Sequence, residues 1–440
     1  MNRQVRNPIE VLAARLQSLP PSVRWLYAQG DVVHATAIGL PPQRGPRSRI
    51  ADRIVALSSR LGLGRAVLVP VSVILLMTTY TRQLLTRSVP VEGALFVGIR
   101  ALRERELVRQ FETMQAGPVV HLDERGLTDF FRQARVPLLK LLREMQLVWS
   151  EVREHLHSSP QSEGLDRKYL LSFFLMHGHR FTFLRAWFRH YRSQPGASSV
   201  VACTAASALS YAPVAAGFET IYMLHGFQRR SLIYPDFARA ICFNGIEAEH
   251  LQRRLPQCAV TLAAEPAQRI ATGRIAAVAG DCWDDAEQLD RIRPFMDWAL
   301  RNDLPVIVRR HPADASGYWD RWRGVAGVEV TDGEGGFAEF LERFRPRLLA
   351  GWFSTALYDA IVKGIVPVTV TTENDEATLD TVFPFRELSL RWPQDEKIAE
   401  RLLDDERSRA EFLTDAYARA MAADCSDLLD ELPAARQAGV

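Results

Sequence analysis

A chain of 440 residues, 47% hydrophobic and 24% charged, carries enough apolar material for a large core, which excludes wholesale disorder. Its net charge is only +2 but is unevenly placed: residues 1–110 hold 16 Arg against 6 acidic residues, a net of +10, while residues 395–431 hold 12 acidic against 5 basic, a net of −7. A basic amino-terminal part wants an anionic partner such as phospholipid, lipid-linked phosphate or nucleic acid, unless it is no more than a solvated arginine-rich surface.

The first 20 residues are polar and show no apolar signal-peptide core. Residues 1–90 lack a βα rhythm, contain a Pro/Arg-rich break at 40–49, and are expected to form a basic N-terminal extension. Their one long apolar run, 66–80, is short for a membrane span and holds Pro70; with Arg60, Arg65, Arg82 and Arg87 around it, it reads as a buried or interfacial segment. From residue 91 strand and helix alternate. Residues 94–99 and 118–122 read as buried strands, and 101–116 as the helix between them with Leu102, Leu107, Phe111 and Met114 inward. Residues 127–195 read as a helical insertion. His177 and His179, two apart, do not share a helix face, so they make a poor metal pair.

Short apolar runs return at 199–203, 220–224, 240–243 and 259–262, and a second series follows at 275–279, 305–308, 328–330, 347–350 and 365–370. Two successive βα series predict an α/β fold of two Rossmann-like lobes. The boundary is expected near 264–273, giving an N-terminal acceptor lobe over 91–268 and a C-terminal nucleotide-donor lobe over 269–440. The tail after Trp392 reads as helical and acidic. The five cysteines, Cys203, Cys242, Cys258, Cys282 and Cys425, match no zinc or redox spacing and fit a reducing, cytoplasmic setting.

Four places could carry chemistry. Strand 347–350 runs into Gly351, Ser354 and Thr355 and then a helix with Ala356, Leu357, Ala360 and Ile361 inward, ended by Gly364; free amides and two hydroxyls at a helix start can receive an anion. Strand 305–308 runs into Arg309, Arg310, His311 and Pro312, a cationic cluster with no carboxylate close in sequence, suited to phosphate. His225, after a buried strand and before Gly226, is placed to act as a base. Asp332 and Glu334 lie in a glycine-rich turn. Each has a plainer reading, respectively a capped βα turn, a surface loop, a buried histidine and a surface turn. The sequence contains no Asp-x-Asp pair of the kind a nucleotide-bridging Mg²⁺ would use, so no metal and no cofactor are expected, and the leaving phosphate would be neutralised by Arg, His and helix amides.

The ordered set His225-Gly226, His311-Pro312, Ser354-Thr355 and Gly364–Pro367 resembles bacterial surface-polysaccharide transferases of the GT-B fold, the group that includes capsule Kdo and sialic-acid transferases and teichoic-acid glycerophosphotransferases. The resemblance covers residues 199–372. It implies donor binding by Arg309, His311, Ser354 and Thr355 and catalysis by His225; Asp359 stands where many relatives have Glu, and the carboxylate turn follows His311-Pro312 where bacterial sialyltransferases place theirs before it. The residues themselves add Arg310 to the donor site and Glu334 as the candidate catalytic carboxylate. The expected partners are a nucleotide-sugar donor, a glycan or lipid-linked acceptor and an anionic membrane surface, not nucleic acid, with the protein peripheral at the cytoplasmic face of the inner membrane. Two alternatives are a sugar-nucleotide 2-epimerase of the same fold and a non-catalytic polysaccharide-assembly protein.

Overall fold

The computed structural model describes residues 8–27, 50–51, 53–57, 64–90, 92–98, 102–115, 118–123, 127–158, 167–204, 208–223, 232–263, 266–268, 270, 272–280, 290–311, 314, 317–333, 335–352, 355–370 and 388–422. They form two α/β lobes, each built on a six-stranded, wholly parallel sheet, the architecture expected of a GT-B protein.

The first sheet contains β1 (Ala94–Gly98), β2 (Val119–Asp123), β3 (Val200–Cys203), β4 (Glu219–Met223), β5 (Arg239–Cys242) and β6 (Ala259–Leu262), in the order β2-β1-β3-β4-β5-β6. Side chains alternate across it. Ala94, Phe96, Ala202, Ile221 and Met223 share one face with Phe111 of the helix Leu102–Met114, while Leu95, Val97, Val201, Cys203 and Tyr222 share the other with a thick helical layer. Met114, expected inward, is 46% exposed because it is the last residue of its helix, where the chain turns back toward β2.

That helical layer comes from two distant parts of the chain. We number its helices α1 (Pro8–Gln17), α2 (Gly64–Leu85), α3 (Thr128–Gln133), α4 (Leu138–Ser158) and α5 (Arg167–Arg192). Residues 8–27 are therefore no appendage. Ala13, Leu16, Trp25, Leu26 and Tyr27 are buried in the same core as Phe181, Trp187 and the sheet. Trp25 stacks on Phe181 at 4.3 Å, the Tyr27 hydroxyl and His155 Nε2 lie 2.7 Å apart, and Arg24 Nη1 donates to Asp236 at 2.6 Å. A second buried feature is ionic: Arg185 pairs with both Glu144 and Glu151, and Arg189 also reaches Glu144. Two of these groups, Arg185 and Glu144, join α4 to α5 out of water, where losing one partner would strand a charge.

Pro70 does not interrupt the apolar run. Helix α2 continues through it for 22 residues. Leu68, Ser72, Leu76, Thr79 and Gln83, spaced at three and four, form its buried stripe. Gln83 fixes the end of the stripe by donating to the Val136 carbonyl (3.0 Å) and accepting from the Val136 amide (2.9 Å). By length and composition Leu68–Leu85 could cross a membrane, with 28% of that window buried.

The second sheet contains β7 (Ala276–Ala279), β8 (Val306–Arg309), β9 (Val328–Thr331), β10 (Leu348–Gly351), β11 (Val366–Val370) and β12 (Leu390–Trp392), in the order β12-β11-β10-β7-β8-β9. Its even-numbered core residues, such as Val278, Val308 and Leu348, pack under helices Arg293–Arg301 and Glu396–Asp404; Ala277, Ile307 and Leu349 pack under Phe337–Phe344 and Ala356–Val362. The edge strand β12 was not expected. The helix Glu406–Met421 then returns to the first lobe: its Ala416 and Ala420 share a small core with Ile246, Tyr358 and Ile361. The Tyr358 hydroxyl donates to the Phe243 carbonyl at 2.8 Å, a direct bond between lobes.

Two predictions follow from the helical layer. Trp25→Ala should lower unfolding free energy by about 3–5 kcal/mol, since it opens a cavity in a filled core; a chemical denaturation midpoint unchanged from wild type would place residue 25 outside the core. His177 and His179 are both held near pKa 4, below the ordinary 6.5, first by burial and then by neighbouring cationic groups. Between pH 6.5 and 4 the unfolded chain takes up protons that the folded chain refuses, so stability should fall as pH drops through that window. Thermal melts across it should show a smaller fall for the His177→Gln/His179→Gln variant than for wild type; identical slopes would mean that both imidazoles titrate as if in water.

Candidate functional site

In the second sheet β7 is central. The chain leaves it toward β8 and β9 on one side and later resumes at β10 on the other. The connections after β7 and β10 therefore diverge from neighbouring strand ends, leaving a crevice at the carboxyl edge of the sheet, the place where open α/β sheets take ligands. Ala279 ends β7 and Gly351 ends β10, and the Cβ that a side chain at 351 would bring lies 3.7 Å from that of Ala279. Gly280 follows β7, and its amide donates to the Arg309 carbonyl at 2.8 Å. A Cβ on Gly280 would stand 2.9 Å from that same oxygen and 3.1 Å from the Trp319 indole nitrogen. Only glycine fits there without displacement. Sequence reading passed over Gly280, although a glycine directly after a buried four-residue strand was the available signal.

The β10 connection matches its expected form where it is described. Ala356, Leu357, Ala360 and Ile361 are buried, and Gly364 closes the helix at φ 75°. Thr355 immediately precedes the helix and is half-buried; Asp359, in its second turn, is also half-buried and accepts the Lys363 amide through its carbonyl. Ser354 lies outside the described residues.

The end of β8 differs from expectation. Arg309 and Arg310 are consecutive, so they face opposite sides of the strand. Arg309 lies across the Phe337 ring at 5.3 Å and donates through Nη2 to the carbonyls of Gly335 (3.0 Å) and Gly333 (3.3 Å), bracing the glycine-rich turn after β9. Burial lowers its pKa, and its Nε is buried without a hydrogen-bond partner. Arg310 faces an acidic group: Asp320 at 3.1 Å, Asp314 at 3.5 Å and Asp332 at 3.6 Å. The expectation that no carboxylate lies near these arginines is thus wrong for Arg310. Its charge is matched within the protein, which removes the reason to give it a donor phosphate. Asp332 is likewise engaged, with Arg323 and Arg310. His311 is exposed beside the same strand end, its carbonyl accepting the Asp314 amide at 2.9 Å.

The structure thus brings Gly280, Arg309, His311, Gly351 and Thr355 to one sheet edge. His225 and Glu334 fall outside the described residues; the strand leading to His225, β4, ends at Met223, and Gly333 and Gly335 flank Glu334. Among the described residues no three His, Cys, Asp or Glu side chains group closely enough to hold a metal ion.

No protein-family model matches the sequence. No curated protein matches it either. Among solved structures it is similar to the glycosyltransferase SnogD from Streptomyces nogalater, at 13% identity over 76% of this chain and 98% of that one with a TM-score of 0.42. It is similar to Arabidopsis thaliana UGT89C1 complexed with UDP, at 12% identity over 78% and 98% with a TM-score of 0.46. It is also similar to the Methanocaldococcus jannaschii UDP-GlcNAc 2-epimerase in complex with UDP-GlcNAc and UDP, at 10% identity over 71% and 93% with a TM-score of 0.42.

Proposed function

We propose that the chain is a metal-independent glycosyltransferase that takes a nucleotide-sugar donor in the crevice between β7 and β10. The observation that carries this reading is the crevice itself: a switch point with glycine at both of its strand ends, so that backbone can approach a phosphate, and with the Arg309 guanidinium and His311 beside it. In this reading the donor phosphates rest on backbone amides after Gly351 and on the side chains of Ser354, Thr355 and His311. Arg309 supplies positive potential from a braced position and holds the turn that carries Glu334. Asp359 is the candidate contact to the ribose. The acceptor, a glycan or a lipid-linked sugar phosphate, enters from the first lobe, with His225 or Glu334 removing the proton of its attacking hydroxyl. Cationic and amide groups fixed before the reaction can stabilise the charge that develops on the leaving phosphate without reorganising.

Binding of CMP-, CDP-, UDP- and GDP-linked sugars, measured by calorimetry at up to millimolar concentration, tests the proposal; binding of none of them would sink it. Turnover of a UDP-sugar with no acceptor would instead assign the 2-epimerase reaction. His311→Ala should weaken donor binding by roughly 1.5–3 kcal/mol, about ten- to hundredfold, as expected for a lost charge-assisted phosphate contact. Arg310→Ala separates the two neighbours: donor affinity should stay within about twofold while the melting temperature falls, because the buried Asp314 carboxylate loses its ion pair with Arg310, whereas Asp320 and Asp332 keep Arg323. A large affinity loss in Arg310→Ala would return that residue to the site. His225→Ala should lower kcat with donor affinity nearly intact, and parallel loss of both would make it a donor ligand.

A further inference from the structure

The two most exposed large apolar side chains among the described residues are Leu85, 82% exposed, and Leu139, 81% exposed. They are 54 positions apart in sequence yet belong to one junction. Gln83 and Val136 exchange two hydrogen bonds, Arg135 Nη2 donates to the Thr86 carbonyl at 2.8 Å, and the Val89 amide donates to the Arg132 carbonyl at 2.8 Å. The end of α2 and the start of α4 therefore lie side by side. On α4 the exposed stripe continues through Leu142 and Leu147, and on α2 Leu84 adds a further exposed leucine.

The charge around this patch has one sign. Residues 64–90 and 130–143 contain no Asp or Glu. Their exposed cations include Arg82, Arg87, Arg132, Arg135, Lys140 and Arg143, and the carboxylates that flank the second stretch in sequence, Asp129 and Glu144, are largely buried and ion-paired. Protruding leucines set among cations, with nothing acidic between them, complement an anionic lipid headgroup layer over acyl chains. Nucleic acid would suit the cations but not the leucines that protrude farthest. The buried stripe of α2 is already committed to the fold through Leu76 and Gln83, so the helix can lie on a bilayer but cannot cross one without dissolving the core beneath it.

We propose that the α2–α4 junction is a docking surface for an anionic bilayer, with Leu84, Leu85, Leu139 and Leu142 entering the interface and the surrounding cations meeting lipid phosphates. The surface is independent of the reading of the β7–β10 crevice. It lies just beyond the 66–80 run, the segment expected to be buried or interfacial.

Flotation of the full chain with vesicles of phosphatidylcholine alone, or of phosphatidylcholine mixed with phosphatidylglycerol, tests it. Recovery with the anionic vesicles should be high at low salt and fall steeply toward about 1 M, where the Debye length is ~3 Å. Leu85→Glu/Leu139→Glu should lose about tenfold or more in apparent vesicle affinity, and Arg82→Gln/Arg87→Gln should lose less and show a shallower salt dependence. Both pairs sit on the surface, and an unchanged melting temperature would verify their folding. Ile398→Glu, on an exposed site of the other lobe, should bind vesicles as wild type does. Wild-type protein left in the soluble fraction with anionic vesicles at low salt would overturn the proposal, and so would wild-type affinity in the double leucine variant. A dimer that dissociates in that variant, without vesicle binding by wild type, would overturn it in favour of a second copy of the chain.

Discussion

A wholly parallel sheet has two faces to hide from water, and the architecture of this chain follows from how each face is covered. In the second lobe local crossover helices do it. In the first lobe the helix that bears Phe111 covers one face in this way, and the crossover helices Ala208–Ala215 and Gly245–Arg254 contribute Tyr211, Ala212 and Leu251 to the other. That other face is closed mainly by α3 to α5 together with residues 8–27 and α2, so a segment far upstream completes a core whose sheet starts at Ala94. The stack of Trp25 on Phe181 is the centre of that closure.

The same interior carries unusual chemistry for a core. Arg185, with a side chain 1% exposed, is neutralised by Glu144 and Glu151, while His177 and His179 remain uncharged close by in sequence. Buried pairs of this kind add little net stability over apolar packing, but breaking one is costly. Glu144 accepts from both Arg185 and Arg189, one helical turn apart, and this fixes how α4 and α5 are phased along each other.

Much of this was legible in the sequence, and what was not shares one cause. Eleven of the twelve strands show as short apolar runs bounded by turn residues, the central ones because buried parallel strands have no polar face, while the edge strands β6 and β9 are partly or largely exposed; β12 escaped, being three residues long with Arg391 at its centre. The helices of residues 127–195 also showed themselves. Their partnership with Trp25 and Leu76 did not, because residues over a hundred positions apart leave no mark in local periodicity. The β8 end shows the same division. Period-two alternation already separates Arg309 from Arg310, and Asp314 lies four residues on, but the other carboxylates that claim Arg310 come from positions 320 and 332, which only the folded loops gather. Near Gly280 the constraint is a carbonyl from the neighbouring strand, equally invisible one residue at a time.

The helix Ala356–Val362 has a place in this structure that its seven residues understate. At about 1.5 Å per residue it is a rod some 10 Å long. Its amino end abuts the β7–β10 crevice. Along its side Tyr358 and Ile361 meet Phe243 and Ile246 of the first lobe, and the returning helix brings Ala416 and Ala420 to the same spot. At its carboxyl end the Val362 and Lys363 carbonyls accept amides from Gln268 and Ile270, in the segment that links the lobes. Crevice, inter-lobe contact and linker therefore bear on a single stiff body. A tilt of this helix would therefore change the inter-lobe contact and the linker hydrogen bonds together.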